Sequence, residues 1–444
     1  MKINIEPYVA VFPRIVKSST VQKIKITPKF NFVKLGGNYY VSIFPRYQFE
    51  YSSSKEGAYY DPIMINADSD YLEFEYQFGK EQEYIIQVKP VADQGRVTQV
   101  IETSVYALDE DLYEKKVVKG DLHLHTTFSD GLESPEHRAM IARKEGFDFI
   151  AITDHNSFHG SDYLIEKMKK CPNNMVFLHG EEVHAKCCPV HILSLGASEA
   201  IAPKVTKYNE EQNKLLNELK LKYSSLIDND VNLDAFVAAM DVFAKIREAG
   251  GLSVLCHIYW DAVDGTNHNR MGAPENLIDA LVRECDFDAF EITSGAPVQD
   301  LKANYLQESY YREYLPKNFP VIGITDSHTT IDDMTIFGKN YTIAFVDEFN
   351  ETGIINAIKN SFTVSVDGVG NNKICHGQLR LIKYATFLRE RYFVEHDKAV
   401  RVEADLMERI LLGELQLIDF LNVICKGTVD NLKLEWGSIV ADTK

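Results

Sequence analysis

Between about residues 117 and 370, short apolar segments alternate with amphipathic ones, and this alternation restricts the fold more than any other feature. "FDFIAITDH" and "FPVIGITDSH" have the apolar character of buried strands, whereas "SPEHRAMIARKEG" and "PENLIDALVREC" have the spacing of amphipathic helices. Helical connections between consecutive strands make those strands run parallel. The pattern therefore predicts an α/β fold built on a parallel sheet or barrel.

Two regions with different sequence patterns flank this segment. Residues 1–115 contain short alternating stretches rich in Tyr, Phe, Ile and Val, separated by turn-like breaks, and predict an all-β, sandwich-like domain. Residues 116–372 form the α/β domain in this division, and residues 373–444 predict a mainly helical C-terminal extension. The extension fits either a cap or association element, or helices packed against the barrel.

Charge and composition exclude several classes of protein. The chain has a formal net charge of -18 and no dense Lys/Arg stripe, which argues against long nucleic acid as a partner. The start of the sequence lacks the pattern of a signal peptide, and no apolar run approaches the roughly 20 residues that span a bilayer. Seven cysteines, an odd number, argue against a disulfide framework. We therefore expect a cytoplasmic protein without a membrane partner.

Histidines and acids follow the ends of the predicted α/β strands, whereas residues 1–115 contain no histidine. Polar residues on the solvent face of a strand are the alternative interpretation, but six separate strand ends carry them. The carboxyl ends of parallel strands share one face, so these residues should converge. Imidazole and carboxylate ligands suit zinc, manganese or iron, which predicts a site for several metal ions. The residues are His123, His125, Asp130, Asp154, His155, Glu181, Glu182, His191, His257, Asp326 and His328.

In their order along the chain, these residues resemble the nine-ligand pattern of the polymerase and histidinol phosphatase (PHP) family of metal-dependent phosphoesterases. The resemblance covers roughly residues 117–370 and implies a distorted (β/α)7 PHP barrel; outside the ligands it is loosely closest to the CehA/McbA-type stand-alone hydrolases. "HGEEV" matches the family's Gly-x-Glu through Glu182, although alternation alone leaves Glu181 open. Ile258 stands where proline is frequent in the family. The implied ligands are His123, His125, Asp130, His155, Glu182, His191, His257, Asp326 and His328.

The resemblance also implies how two or three divalent ions (Zn, Mn or Fe) would be shared among these ligands. One ion would lie among His123, His125, Glu182 and Asp326. Glu182 would bridge to a second ion held by His191 and His257, and the remaining ligands, Asp130, His155 and His328, would hold the third.

The implied reaction is hydrolysis of a small phosphate ester by a metal-bridging hydroxide. Hydrolysis of a carboxylic ester, carbamate or amide on the same ions is the first alternative, and a non-catalytic metal-bound binding module is the second. The residues assigned to catalysis are Asp326, Glu182, His257 and Asp154.

Residues around the ligands carry weaker predictions. Asp154 is expected either to orient an imidazole or to cap the following helix. Arg270 and His268 could hold a substrate phosphate, or belong to a solvated loop. Cys256 is expected to face away from His257 and pack, and Glu291 could support a ligand. The expected partner is a small-molecule phosphate ester, and the sequence leaves homo-oligomer formation open.

Overall fold

The fold is mixed α/β. The structure is a computed structural model that describes residues 2–49, 60–67, 70–92, 98–207, 209–264, 269–294, 302–331, 337–369 and 374–442. The chain divides into two compact units. The first comprises the residues up to 116 together with 386–395 and 427–441, and the second comprises 117–385, 396–426 and the residues from 442 onward. The predicted domain boundaries after residues 115 and 372 stay predictions.

The first unit is rich in β-structure. Its strands form one sheet in the order β1-β9-β8-β5-β6, with β3 also paired to β9, and a second sheet in the order β2-β4-β7. Val11 and Phe74 from the second sheet share one apolar core with Val41 and Ile86 from the first, because alternate side chains of both sheets turn inward. The elements are β1 (Lys2–Asn4), β2 (Val9–Phe12), β3 (Ile15–Lys17), β4 (Val21–Pro28), β5 (Gly37–Pro45), β6 (Ile63–Ala67), β7 (Leu72–Gln77), β8 (Gln82–Pro90), β9 (Thr98–Leu108) and helix α1 (Glu110–Tyr113).

The second unit contains the predicted strand–helix alternation. Its strands are β10 (Lys116–Leu124), β11 (Phe149–Ile152), β12 (Val176–Leu178), β13 (Gly180–Val183), β14 (Ile192–Leu195), β15 (Leu252–Leu255), β16 (Asp261–Asp264), β17 (Asn269–Gly272), β18 (Ala289–Thr293), β19 (Val321–Gly323), β20 (Tyr341–Val346), β21 (Thr363–Asp367) and β22 (Ile374–Gly377). Its helices are α2 (Pro135–Lys144), α3 (His159–Met168), α4 (Ala202–Val205), α5 (Glu210–Tyr223), α6 (Leu233–Glu248), α7 (Glu275–Glu284), α8 (Lys302–Tyr314) and α9 (Glu351–Lys359). The last helices, α10 (Leu379–Glu390), α11 (Tyr392–Leu411) and α12 (Ile418–Trp436), contribute to both units.

Eleven strands of the second unit form two sheets whose ends meet at the polar residues, and β16 and β17 form a separate pair. The orders are β12-β11-β10-β20-β21-β22 and β13-β14-β15-β18-β19. Parallel bridges from Leu124 to Ser327 and from His155 to Glu182 connect the two sheets. Each bridge lies beside or at a predicted ligand, so the sheet ends converge where the sequence analysis expects a site.

The parallel arrangement is only partial, which corrects the sequence-based expectation. β10, β11 and β12 run parallel, as do β15, β18 and β19. β14, however, is antiparallel to both β13 and β15, and β21 is antiparallel to β20 and β22. Only eight residues, 184–191, connect β13 to β14, too few for a helical crossover, so the chain turns back as a hairpin.

Two local predictions are also corrected. The sequence from about 207 to 249 predicts one long helical stretch, but the structure divides it into α5 and α6. Asn209 and Asn232 each accept hydrogen bonds from backbone amides and begin a helix. The segment after His257, expected as a loop, contains the antiparallel pair β16 and β17. Among the helices that the structure describes, none combines the length and apolar character required to cross a membrane.

Candidate metal centre

All nine predicted ligands lie together at the converging strand ends. His123 lies in β10 and Glu182 in β13, and the others occupy loops that begin or end at strands β10, β11, β14, β15 and β19. Each of the nine belongs to at least one group of three or four side chains whose ligand atoms lie within 4.8 Å of one another. Glu182 belongs to three of these groups and therefore occupies the middle of the cluster.

The first group surrounds the carboxylates of Glu182 and Asp326. His125 Nε2 lies 2.8 Å from Asp326 Oδ1 and 3.3 Å from Glu182 Oε2, and His123 Nε2 lies 3.2 Å and 3.4 Å from the same two oxygens. Two imidazole nitrogens and two carboxylate oxygens thus converge on one point. Such a mixed N/O donor set suits a borderline divalent ion.

The second group lies on the other oxygen of Glu182. His191 Nδ1 is 2.8 Å and His257 Nε2 is 2.9 Å from Glu182 Oε1. Because the two oxygens of Glu182 serve different groups of imidazoles, this carboxylate can bridge two ions. This arrangement matches the bridging role that the resemblance implies for Glu182.

The third group lies at the more exposed side of the cluster. Asp130 places Oδ1 3.3 Å from His328 Nε2 and Oδ2 3.4 Å from His155 Nε2. The ring of His125 stacks on that of His328 with centroids 4.1 Å apart. Asp130 is 56% exposed and His328 38% exposed, so this part of the cluster is open to a ligand.

The arrangement of nitrogens and oxygens in the cluster suits metal binding better than hydrogen bonding among the same side chains. Five buried polar atoms in the cluster have no hydrogen-bond partner, although oxygens and nitrogens surround them. His155 Nδ1, for example, lies 2.8 Å from Glu182 Oε2 without the geometry of a hydrogen bond. Buried polar atoms without partners are costly, so their convergence indicates a shared ligand. The five atoms are His123 Nε2, His125 Nδ1, His155 Nδ1, Glu182 Oε2 and His184 Nε2.

The two adjacent glutamates point in opposite directions, which separates the alternatives that the sequence left open. Glu181 accepts hydrogen bonds from the backbone amides of Ile201 and Ala202, at the beginning of α4. Glu182 points into the cluster and is fully buried. Side chains alternate along a strand, and β13 therefore presents only Glu182 to the other ligands.

The electrostatics of the cluster favour a cation. Burial opposes ionisation of Glu182, but the imidazoles of His123, His155 and His184 outweigh it and hold the pKa of the carboxyl well below its ordinary value. Burial also opposes ionisation of Asp326, yet His123 and His125 keep its pKa low. Burial lowers the pKa of His191 to about 4, which leaves the lone pair of one ring nitrogen available. Metal binding requires ionised carboxylates and neutral imidazoles. The pKa values of His123, His155 and His257 are raised despite their burial, so a bound ion would displace protons from these three rings.

Unusual backbone conformations position three residues of the site. His257 has φ 27°, Asp326 φ 49° and Asn156 φ 50°, all in the left-handed region that residues other than glycine rarely adopt. A close approach also requires Gly131, since a Cβ there would lie 2.4 Å from the carbonyl carbon of His125. Strained backbone of this kind persists where the surrounding structure fixes it, commonly at functional sites.

Glu291 supports two of the ligands, as the sequence suggested. It is buried in β18, and its Oε2 lies 3.3 Å from His123 Nδ1. Its Oε1 accepts a hydrogen bond from the backbone amide of His257 at 3.0 Å. A carboxylate on Nδ1 orients the ring and leaves Nε2 of His123 for the cluster.

The structure places Asp154 differently from both predicted roles. Its Oδ1 accepts hydrogen bonds from the amide of Thr126 and the hydroxyl of Ser129, each at 2.7 Å, and its Oδ2 accepts one from the Thr126 hydroxyl. It does not cap α3, whose N-cap is Phe158 with no side-chain capping bond. Asp154 therefore holds the loop between His125 and Asp130, and the predictions that it orients an imidazole or caps the helix are corrected.

A fully buried arginine connects the first and last ligand loops. Arg138 donates to both the hydroxyl and the carbonyl oxygen of Ser327 at 3.0 Å, and pairs with Glu133 at 3.1 Å. Ser327 lies between Asp326 and His328, and its carbonyl oxygen also accepts from the amide of His125. No sequence signal identified Arg138, because its hydrogen-bond partner Ser327 lies 189 residues away.

Two further residues near the ligands differ from expectation. His184, which has no counterpart in the family pattern, forms one group with His155 and Glu182. The expectation that Cys256 faces away from His257 is wrong, since its Sγ lies within 4.8 Å of ligand atoms of His123 and His257. Burial raises the pKa of this thiol well above its ordinary value, which favours the protonated sulfur as a hydrogen-bond donor. It donates to the carbonyl oxygen of His191.

The predicted substrate residues lie largely outside the described part of the chain. His268 falls between the described ranges, and Arg270 lies in β17, of which only the backbone is described. Their assignment to a substrate phosphate stays a prediction.

Comparison with known families agrees with this picture. Residues 121–228 match the model of the PHP domain family. This segment contains six of the nine predicted ligands, from His123 to His191. The resemblance to the PHP family is therefore confirmed over this part of the chain.

Matches to individual proteins are short or distant. The chain is 40% identical over 57 residues to the DNA polymerase/3'-5' exonuclease PolX of Bacillus subtilis, covering 13% of this chain and 10% of that protein. It is 37% identical over 54 residues to an uncharacterized protein of Methanocaldococcus jannaschii, covering 10% of this chain and 32% of the other. The chain thus spans a third or less of the length of the curated relatives it matches.

Two solved structures resemble the chain weakly. A two-domain protein from Bacteroides vulgatus containing a predicted PHP-like metal-dependent phosphoesterase has 20% identity and a TM-score of 0.37, covering 57% of this chain and 66% of that one. An amidohydrolase from Chromobacterium violaceum has 17% identity and a TM-score of 0.31, covering 48% and 89%. Scores at this level are too low to establish a shared fold.

Proposed function

We propose that the chain is a metal-dependent hydrolase and that its substrate is a small phosphate ester. One observation carries the proposal: nine histidine, aspartate and glutamate side chains from distant positions converge, and buried lone pairs among them have no partner. Divalent ions bound there would polarise a phosphoryl group and activate water for its hydrolysis. No serine or cysteine nucleophile is needed for such a reaction.

The donor groups support two or three ions, of zinc, manganese or iron. His123, His125, Glu182 and Asp326 would hold the first ion, and the second oxygen of Glu182, Oε1, would contribute to the second ion together with His191 and His257. Asp130, His155 and His328 would hold the third. Histidine and carboxylate donors, without a thiolate, fit all three metals.

The chain's own residues divide into a buried and an open side. Glu182 and Asp326 fix the centre, and Glu291 and the strained backbone hold His257 in place. Asp130 and His328 form the exposed edge. A substrate phosphate would therefore approach along Asp130 and His328, and Arg270 and His268 are proposed to contact it.

The proposal also covers the barrel architecture of the second unit, the partners of the protein and its location. We propose that the two sheets of the second unit form a distorted (β/α)7 barrel, on the support of the bridges that join their ends. The acidic net charge of -18 supports a small-molecule substrate and no long nucleic acid. No disulfide joins the seven cysteines, all of which lie in the described ranges, and this supports a reducing, cytoplasmic setting. A homo-oligomer and the absence of a membrane partner remain proposals of the same kind.

The test combines elemental analysis of the purified protein with hydrolysis assays. The protein is assayed with p-nitrophenyl phosphate and with a panel of carboxylic esters, carbamates and amides, each with added manganese, zinc or iron. We expect bound divalent metal and phosphatase activity. Hydrolysis of the carbonyl substrates alone would move the assignment to that class, and bound metal without hydrolysis of either class would favour a binding module.

A pair of variants connects the activity to the site. His125→Ala should lower the metal content and abolish hydrolysis while the far-UV circular dichroism spectrum is retained, because His125 contacts both carboxylates of the first group. His159→Ala is the matched control, since His159 is an exposed histidine at the beginning of α3. An unchanged metal count in His125→Ala would refute the assignment of the centre.

A further inference from the structure

His184 is held over the metal centre by two independent contacts. It follows β13, and its backbone amide donates to Asn156 Oδ1 at 2.8 Å. Its ring stacks on His191, with centroids 3.6 Å apart and an interplanar angle of 18°. The ring centroid of His155 lies 4.5 Å away. Asn156 follows the predicted ligand His155 directly, so the chain that carries one ligand also positions His184.

The nitrogen of His184 that faces the cluster lacks a partner. Nε2 is buried, makes no hydrogen bond and lies 3.6 Å from Glu182 Oε1. The side chain as a whole is 28% exposed, so the ring has one edge in the cluster and another towards solvent. A buried nitrogen without a partner is destabilising unless another ligand satisfies it.

The surrounding donors identify what that ligand could be. His184, His155 and Glu182 form a group whose ligand atoms lie within 4.8 Å of one another, beyond the three groups that the resemblance implies. An imidazole nitrogen directed at a carboxylate and a second imidazole provides a donor set for a divalent cation.

We propose that His184 Nε2 is a tenth donor of the metal centre and binds an ion held by Glu182 on the side of His155. This inference rests on the proposed metal-dependent function. The additional nitrogen gives that ion one more protein ligand and strengthens its binding. The stack on His191 fixes the orientation of the donor.

The test separates the nitrogen from the ring. His184→Phe preserves an aromatic ring that can stack on His191 and removes the donor atom, whereas His184→Ala removes both. Full-length wild-type protein and variants are freed of metal with a chelator and titrated with Zn²⁺ against a competing chromophoric chelator. The absorption spectrum of the Co²⁺-substituted protein reports the donors on the ion. His159→Phe is the control for an aromatic ring placed at an exposed histidine.

We expect both His184 variants to bind one ion at least about tenfold more weakly than wild type and to change the Co²⁺ spectrum, with the control unchanged. Wild-type affinity and spectrum in His184→Phe would overturn the inference and leave His184 with a stacking role, while the proposed function stands. If the wild type binds no divalent ion, the proposed function falls as well. Should His184→Phe fail to fold, His184→Ala provides the same two readouts.

Discussion

Arg138 offers a sharp test of how the metal centre is held together, because it touches no predicted ligand side chain. Its guanidinium is fully buried and joins Glu133, on the loop after Asp130, to Ser327, between Asp326 and His328. Arg138→Met retains a long side chain and removes the charge and all donors. The ligands remain present, but the two loops that carry them lose one of their connections.

The expected magnitude follows from burial. Glu133 is 8% exposed and would lose its cationic partner at 3.1 Å, and removing one partner of a buried ion pair costs about 3–5 kcal/mol. The Ser327 carbonyl oxygen still accepts its hydrogen bond from the amide of His125, so only some of the contacts between the two loops are lost. Loss of a residue that supports ligands weakens metal binding by about 10–100-fold, and we expect a loss of this size.

The two tryptophans make the measurement specific. Trp260 lies in the unit that holds the metal centre, with its ring 5.3 Å from that of His191, and Trp436 lies in the other unit. In a Trp436→Phe background, Trp260 fluorescence during urea unfolding therefore follows only the second unit, which holds the metal centre. Competition titrations with Zn²⁺ on the same proteins give the metal affinity.

The control is the same substitution at an exposed ion pair. Arg247 pairs with Asp286 at 2.7 Å but is 54% exposed, so Arg247→Met should cost about 1 kcal/mol or less. Adding Glu133→Gln to Arg138→Met should cost less than the two separate effects combined, by up to about 3 kcal/mol, since the two residues act as a pair. If Arg138→Met is as stable as Arg247→Met and binds Zn²⁺ like wild type, the reasoning is refuted.

Three further predictions concern the site and its support. Glu182→Gln should lose metal and hydrolysis, whereas Glu181→Gln, directed at the beginning of α4, should keep its metal content; loss of metal from Glu181→Gln instead would reverse their assignment. Removing metal with a chelator should lower the urea midpoint seen by Trp260, and readdition at about 100 times Kd should restore about 2.7 kcal/mol. Burial lowers the pKa of His396, but Asp148 outweighs this effect and raises the pKa above its ordinary value. The stabilising contribution of protonated His396 should therefore be complete below about pH 6.5 and be lost as pH rises through the folded-state pKa. His396→Gln should lack this part of the pH dependence in urea titrations, and an unchanged profile would contradict the assignment.

The predictions that succeeded depend on local pattern. Strand-like runs ending in histidine or acid identified the residues that the structure brings together, since apolar periodicity and the position of polar residues at strand ends are readable within a few residues. Ser134 directly before Pro135 predicts the N-cap of α2 from two neighbouring residues, and its side chain accepts from the amide of His137. The prediction of an α/β fold followed from the same alternation.

The features that the sequence did not determine depend on contacts between distant segments. The reversal of β14 follows from the short connection to β13, whereas strand patterns carry no direction. Arg138 resembled an ordinary helical residue until its partner Ser327 was placed beside it.

The same distinction between local and distant information applies to the residues of the metal centre. The sequence alone determined which residue types stand at the strand ends, because each choice is set by a few neighbouring positions. Only the tertiary structure decided that Glu182 and not Glu181 enters the cluster, that Asp154 holds a loop, and that His184 faces the ligands. The reason is physical: a lone pair has a direction only after the strands have paired, and that direction decides whether a side chain can share an ion.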